Sequence, residues 1–554
     1  LALLAGRVSI RHMEADGIHV DTGALPSGEP MALSQVRVDK LPDLLEQAFQ
    51  RLDEARGLMA RTGTRSIRIS GVEVLLPAGP GRSPLTLQVD ELDLAHSDPG
   101  EIAVTGEVRL DGQPAALIAR ASVVDGVTSA LSATLSELEV TPFLLRRADD
   151  GAARDGVQGT VDVDLSAVRA RESTPPAITA TVRNSPGLFY FDGIEQELSG
   201  GAINAAYDFS KHSLELLQSE IRFGPTVVPF VGAVIDLNRL VPGETRPGFG
   251  INLLVSGGRA VAEGSAEEPT TFDLRAGGHY LAVERELQFD DMLVSSPQGT
   301  MAGSLKVRFG DESPEISFGA RLPSMQVTGV KQLWPFWMAR KAREWATQNM
   351  FGGTVTNGSL AVFIPAGRMK GPGHPLELDD DELQISFAID DARMNLPGQI
   401  PPLRDVEGRF DLRGEVMNVD IASAASYFPS GRSVAVRDSR FVLPSTYAKP
   451  LMGDLSLQVL GAADAIAELA NFPPLNALKD TDFAPEDFSG SASAKVTAQF
   501  GLISEHQPPE PTWNTEIQLN DVNVAQEFSG RSVSDVSGVL KVDPQAARLE
   551  AKAA

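Results

Sequence analysis

From Thr64 onward the chain keeps returning to one pattern, an apolar residue at every second position, and that period restricts it more than any other feature. Ile67 and Ile69, then Leu85, Leu87 and Val89, then Ile102, Val104, Val108 and Leu110 alternate with Arg, Ser, Gln, Thr and Glu. Successive side chains of a strand point to opposite faces, so each run has one apolar and one wet face. The pattern recurs at Val161, Val163, Leu165; at Leu305, Val307, Phe309; and at Leu360, Val362, Ile364. It recurs again at Ile385, Phe387, Ile389; at Val496, Phe500; and at Ile517, Leu519.

The runs come in a repeated order. Gly159, Gly358 and Gly490 each open an alternating strand, followed by a second strand with a loop and by a return strand at Gly200, Gly408 or Gly538. Gly106 and Gly303 start two similar strands. A degenerate repeat of about 40–50 residues declares a repetitive architecture. One-sided strands can pair as a sandwich, close as a barrel or curl into a trough. With few helices and no compact domain break, the fold expected is mainly β: a long repetitive antiparallel sheet curled into an elongated trough. About 30 strands at ~4.8 Å give a length on the order of 140 Å.

Helical periods are few. Leu44, Leu45, Ala48, Leu52, Ala55 and Met59 recur at three- and four-residue steps over 41–60. Thr141-Pro142 opens a short helix through Arg146, 148–155 reads as a polar loop, and Ala463 to Leu469 reads as a further helix. The stretch 331–365 holds three of the four tryptophans, Trp334, Trp337 and Trp345. Lys331, Arg340, Lys341 and Arg343 stand there against one acid, Glu344. Read as one helix, it sets Trp334, Trp337, Met338, Lys341 and Trp345 near one face, stops at Gly352-Gly353, turns at Asn357-Gly358 and continues as a strand. Such a helix could lie across a sheet end, touch lipid headgroups through Trp and Arg, or anchor a protein partner. Trp334, Trp337, Trp345 and Arg340 are its candidate membrane or partner contacts.

Composition narrows the chemistry. A net charge of −26 speaks against nucleic acid as a partner. The absence of cysteine removes disulfides, thiolate metal sites and cysteine nucleophiles. The seven histidines are scattered, and only His12 and His19 stand at a spacing that two metal ligands could share. Asp379-Asp380-Asp381-Glu382 reads as a solvated loop without the glycine bend of a calcium site, within a Pro- and Gly-rich linker over 366–382. No nucleophile elbow, phosphate loop or dinucleotide fingerprint occurs, so the expectation is no enzyme, no cofactor and no metal. No run of eighteen apolar residues occurs. The chain opens on Leu1 to Ala5 without a methionine and stops inside a strand near Leu549, which reads as a piece of a longer protein whose upstream part holds a membrane anchor.

Trp334, Pro335, Ala339, Arg340, Trp345, Asn349 and Gly353, followed by the strand VTNGSLAVFIP, resemble the central region of the AsmA-like family, YhdP type; the glycine-started repeats are similar to AsmA and TamB relatives. The resemblance implies a protein anchored in the inner membrane of a Gram-negative bacterium, extending through the periplasm as a curled sheet with an apolar interior and linked to phospholipid passage to the outer membrane. It implies no catalytic residues. On this reading 1–63 holds strands and a helix after a missing anchor, 64–330 and 366–554 are groove repeats, and 331–365 is the family-like segment. The groove lining would be Ile102, Val104, Val108, Leu110, Val161, Val163, Leu165, Leu305, Val307, Phe309, Leu360, Val362, Ile364, Ile385, Phe387, Ile389, Val496, Phe500, Ile517 and Leu519. Phospholipid and the inner membrane would be the partners. The alternatives are a scaffold or chaperone for outer-membrane proteins, which would then be partners, and an adhesin-like repeat.

Overall fold

The computed structural model describes residues 12–17, 19–21, 37–76, 85–98, 101–110, 112–148, 151–310, 313–370, 374, 376–479, 481–528 and 531–552. The protein is 61% strand and 13% helix, built as one long antiparallel sheet that does not close into a barrel. From Ser66–Leu76 to Ala547–Lys552 the strands run as a meander in which most strands pair with the next one along the chain. His12–Asp16 and His19–Asp21 add a parallel edge beside Ser66–Leu76. About 25 strand positions at ~4.8 Å make the ladder on the order of 120 Å, somewhat shorter than the strand count of the sequence implies because several strands are side branches.

The exposed area is 30836 Å². A compact monomer of 59.0 kDa would expose about 19,000 Å². An uncovered single sheet accounts for the excess.

The two rims of the sheet carry the helices, α1 (Leu41–Thr62), α2 (Thr141–Leu144), α3 (Leu237–Leu240), α4 (Val327–Leu333), α5 (Arg340–Asn349) and α6 (Ala463–Asn471). Call lower the rim where Val127–Glu139 begins and Thr226–Asp236 and Thr354–Ile364 end; α1 and α3 lie along it. The upper rim, where Glu315–Gln326 and Met452–Ala462 end, carries α2, α4, α5 and α6.

Residues far apart in sequence fasten α1. The buried Asp236 carboxylate accepts the Val38 N–H (3.1 Å) and the Asp39 N–H (2.7 Å) just before the helix. Further along, Asp53 accepts both the amide (2.8 Å) and the hydroxyl (2.7 Å) of Thr128, and Arg169 bridges Asp53 and Glu46. These hydrogen bonds and the Arg169 charge hold the Asp53 carboxyl below its ordinary value, against the opposing pull of burial. The inward stripe is Leu45, Phe49, Leu52 and Met59, with the Arg169 guanidinium 5.5 Å from the Phe49 ring centre. Leu44, Ala48 and Ala55, placed on the apolar face by spacing alone, face solvent instead. The stripe turned because Phe49 and the charges of Asp53 had fixed partners to meet.

Other expectations change in detail. The short helix after Thr141 ends at Leu144, and Arg146–Arg147 pairs as a strand with Ala153–Gln158, so part of the expected polar loop is sheet. The stretch 331–349 is two helices. Pro335 lacks an N–H to continue α4, and Ala339 takes a left-handed φ of 46° before α5. Gly352-Gly353 do not cap α5, because Met350–Phe351 first pairs with Leu383–Met394. Asn357-Gly358 is no turn: it is a bulge inside Thr354–Ile364, with Asn357 at φ 53°.

Two outcomes follow from this architecture. X-ray scattering in solution should give a radius of gyration of roughly 35 Å or more, against about 24 Å for a compact chain of this length. Asp236→Ala should loosen the docking of α1 by about 2–3 kcal/mol, since two buried N–H groups lose a charged acceptor. Amide exchange over Leu41–Thr62 should accelerate accordingly, with the sheet beyond Gly248 unchanged.

Candidate apolar groove

The pairing register settles which side chains share a face. Starting at Ile67 and stepping from partner to partner, one row reads Leu94, Val104, Ala119, Ala133, Leu165, Ala180 and Ala205. It continues through Leu216, Gly232, Leu253, Ala276, Met292, Gly303 and Ala320. It ends through Leu360, Ile385, Leu412, Met417 and Leu443. No polar residue interrupts it. A second row takes over, Ala424, Val436, Val459, Ala494, Ile517, Leu540 and Leu549.

The reverse face is mostly polar and cross-linked between strands, although Ile118, Val231, Leu254 and Phe363 stand exposed on it. Arg68 pairs with Asp93 at 2.8 Å, Thr134 donates to Asp164 at 2.7 Å with Arg183 on its other side, and Lys306 and Arg308 flank Glu286. Such pairs are worth little individually at an exposed surface, but they mark that face as the wet one.

All twenty lining residues read from the sequence fall on the apolar face by this register. Ile102, Val108, Leu110 and Ile364 are buried. Val104, Val161, Val163, Leu305, Val307, Leu360, Val362, Ile385, Phe387, Ile389, Val496, Phe500, Ile517 and Leu519 are half-buried. Leu165 is 50% exposed and Phe309 40%. Most of the face is therefore only partly buried, and Ile389, Ile517 and Leu519 pack against the buried cluster under α6. The groove floor is textured by aromatics: Phe387 stacks on Phe410 with ring centres 4.8 Å apart, and Phe441 meets Phe500 at 6.2 Å. Gly453 lies between the last two, and a Cβ there would come within 2.6 Å of the Phe441 ring.

Three structures cover parts of the groove. α1 borders the lower rim of its first third. α6 covers the last third, where Ala465 and Ile466 join Val434, Val459, Ala492 and Ala494; Arg432 ties the helix down through Asp464 (2.7 Å) and Glu468 (2.8 Å). In the middle, Phe191 packs on the buried cluster of Ile364, Met369 and Leu378.

The tryptophan segment divides. Trp334 donates its indole N–H to the Met338 carbonyl (2.8 Å), and Trp337 packs on Phe191 and Phe336 with ring centres 5.5 and 4.9 Å away. Trp345 is 49% exposed on α5, where Arg340 pairs with Glu344 at 2.8 Å. Lys331 is buried, donating to the Met350 carbonyl and pairing with Glu267 at 2.7 Å, its ammonium 4.6 Å from the Phe351 ring centre. Arg343 is half-buried, its Nε on the Trp334 carbonyl at 3.1 Å. Burial lowers its guanidinium from the ordinary value, opposed by Glu263 and Glu344. The four candidate contacts thus do not form one face: Trp334 is half-buried, Trp337 packs on Phe191 while remaining 38% exposed, and Trp345 and Arg340 face solvent on α5.

Sequence reasoning missed Phe189, Phe191 and Phe336, although the runs GLFYF and WPFW hold aromatics that a single strand or helix face would not need. Among the described residues no three His, Asp or Glu side chains group as a metal site, and no helix is long and apolar enough to cross a membrane. His12 and His19 lie on separate strands of the parallel edge. No family model, characterised protein or solved structure matches the chain.

Proposed function

We propose that the protein carries lipid acyl chains along this groove, as a periplasm-spanning phospholipid conduit of the AsmA-like type anchored in the inner membrane of a Gram-negative bacterium. The observation that carries the reading is the unbroken apolar row, twenty residues from Ile67 to Leu443, on a face that no second sheet covers. An exposed apolar surface of that extent is unfavourable in water unless something apolar occupies it. An acyl chain laid along the row removes about 0.8 kcal/mol of unfavourable hydration per methylene, and the gain is nearly the same at every register. Binding that is favourable but indifferent to position is what transport along a track requires. The headgroup stays at the mouth, in water, and the acidic polar face keeps the long sheet soluble.

The first test is native mass spectrometry with lipid extraction on protein purified in mild detergent and then exchanged out of it. Several phospholipids per chain are expected; a lipid-free protein of compact hydrodynamic size would overturn the conduit and favour a scaffold for outer-membrane proteins.

Charged substitutions on the row sharpen the test. Val307 and Phe387 are half-buried, so an aspartate there keeps access to water in the empty groove and should leave the fold intact. Under a bound chain the same carboxylate would lose its hydration at a cost of several kcal/mol. Val307→Asp and Phe387→Asp should each lower lipid occupancy on the order of tenfold with an unchanged circular-dichroism spectrum. Unfolding of both variants would mean that the row is a closed core.

A further inference from the structure

The middle of the groove is crossed by a three-stranded flap. It consists of Ala153–Gln158, Gly187–Phe191 and the first residues of Ile194–Asp208, paired to one another. Each of its strands departs from the main sheet at a glycine. Gly159 separates Ala153–Gln158 from Thr160–Val168, Gly187 follows Pro186 after Ala177–Asn184, and Gly200 (φ 129°) sits in a bulge of Ile194–Asp208. A Cβ on Gly187 would overlap the Gln158 carbonyl oxygen, so the strands meet along this line closely enough to need glycine.

Beyond the line the flap reaches eight strands along the ladder. Phe189 touches Phe223 (5.8 Å) on its own side and Phe336 (6.1 Å) in the linker between α4 and α5. Phe191 touches Trp337 of that linker, which comes from the upper rim. It also packs on the Ile364, Met369, Leu378 cluster at the lower rim, as Ile316 and Val362 do. Arg154 donates to the Met369 carbonyl, and the tight turn Asp192-Gly193 is held by the Asp155 carboxylate (2.8 Å) and the Arg154 carbonyl (2.7 Å). Elements from both rims therefore converge on Phe191, and its ring sits on the groove floor.

We propose that the flap is a gate: seated, it divides the groove into two apolar compartments, and it swings about the glycine line to let an acyl chain pass. The inference rests on the conduit reading and adds a moving part to it. The seat on the far strands is made of few contacts, namely aromatic edges, one cluster of three buried side chains and one side chain to backbone bond; beside the glycine line the flap keeps its pairing with Arg146–Arg147, the Gly224 N–H to Glu197 carbonyl bond and the bonds of Gly159 to Val140 and Thr141. An acyl chain can replace the aromatic contacts with equivalent apolar ones, so the open state costs little once lipid arrives.

The chain has no cysteine, so two introduced ones are the only labelling sites. Glu195→Cys near the flap tip and Lys370→Cys on the lower-rim loop, both exposed, would carry spin labels for pulsed dipolar spectroscopy. Lipid-free protein should give one short distance. Vesicles of phosphatidylglycerol and phosphatidylcholine should add a second, longer population, and Phe191→Ala should populate it severalfold more, even without vesicles. A single short distance in every sample, the Phe191→Ala protein included, overturns the gate whether or not lipid is bound. The phospholipid content of the same samples decides separately on the conduit: lipid present with an immobile flap removes the gate alone.

Discussion

An antiparallel ladder satisfies its backbone donors and acceptors whatever side chains it bears, so the hydrogen bonds of this sheet do not choose its shape. The choice is made by one face that is apolar from end to end and has no second layer to rest on. Closing into a barrel would have buried it, as would a partner sheet. Neither is present among the described residues, and the area exposed by the chain, half as much again as a compact protein of its mass, agrees with that. Everything else in the structure addresses that face locally. α1 borders it, α6 sits on it and the flap crosses it, each held by ion pairs or buried hydrogen bonds that are long-range in sequence, such as Asp236 to Val38 or Arg432 to Glu468.

Curvature comes from a second device that recurs along the sheet. Glu137, Asn357, Asp391, Asp405, Asp438, Asp521 and Asp535 all take a left-handed φ between 43° and 58° inside strands. At most of them the pairing register skips, as between Ile389 and Ala392 or between Arg437 and Arg440. Each is a bulge, and bulges bend the strand and increase its twist. Most lie toward the upper rim, so the sheet carries a seam of bends along its length. Aspartate and asparagine tolerate that conformation better than other side chains with a Cβ. The seam also keeps the row continuous, because the extra residue restores the inward parity that the bend would otherwise break.

The fold class and the apolar face that the strands share were legible because both depend on the two-residue period, a local property of each strand. Register across strands did not need to be known to read Leu305, Val307 and Phe309 as one face. The seam was legible too, yet it was read otherwise: Asn357-Gly358 carries the composition of a hairpin turn, and only its position inside Thr354–Ile364 makes it a bulge. The same signal, an aspartate where alternation slips, stands in RDVEG, RDSRF and SDVSG. The tryptophan segment was illegible for a different reason. Periodicity alone passed over Pro335, whose missing N–H was a visible breaker, and it could not show that Lys331 would leave the surface for Glu267, 64 residues earlier, a partner brought near by the fold of the sheet. What Phe189 and Phe191 touch is further still from sequence reach, since Ile364 lies eight strands away.

The flap belongs to the same seam. Gly200 occupies in Ile194–Asp208 the place that Asp391 or Asp521 occupies in later strands, and Gly187 and Gly159 follow it in turn on one side, at the bases of the other two flap strands. Where an aspartate bends a strand and the strand then continues in the sheet, three aligned glycines let the strands leave it. An aspartate at φ near 50° holds one conformation, whereas glycine is nearly indifferent between positive and negative φ. At this one place the repeated bend is built of glycines with no side chain to restrict φ, and it is there that Phe191 packs on the Ile364, Met369 and Leu378 cluster. The bends that shape the trough and the place where the flap leaves the sheet are thus variants of one backbone device.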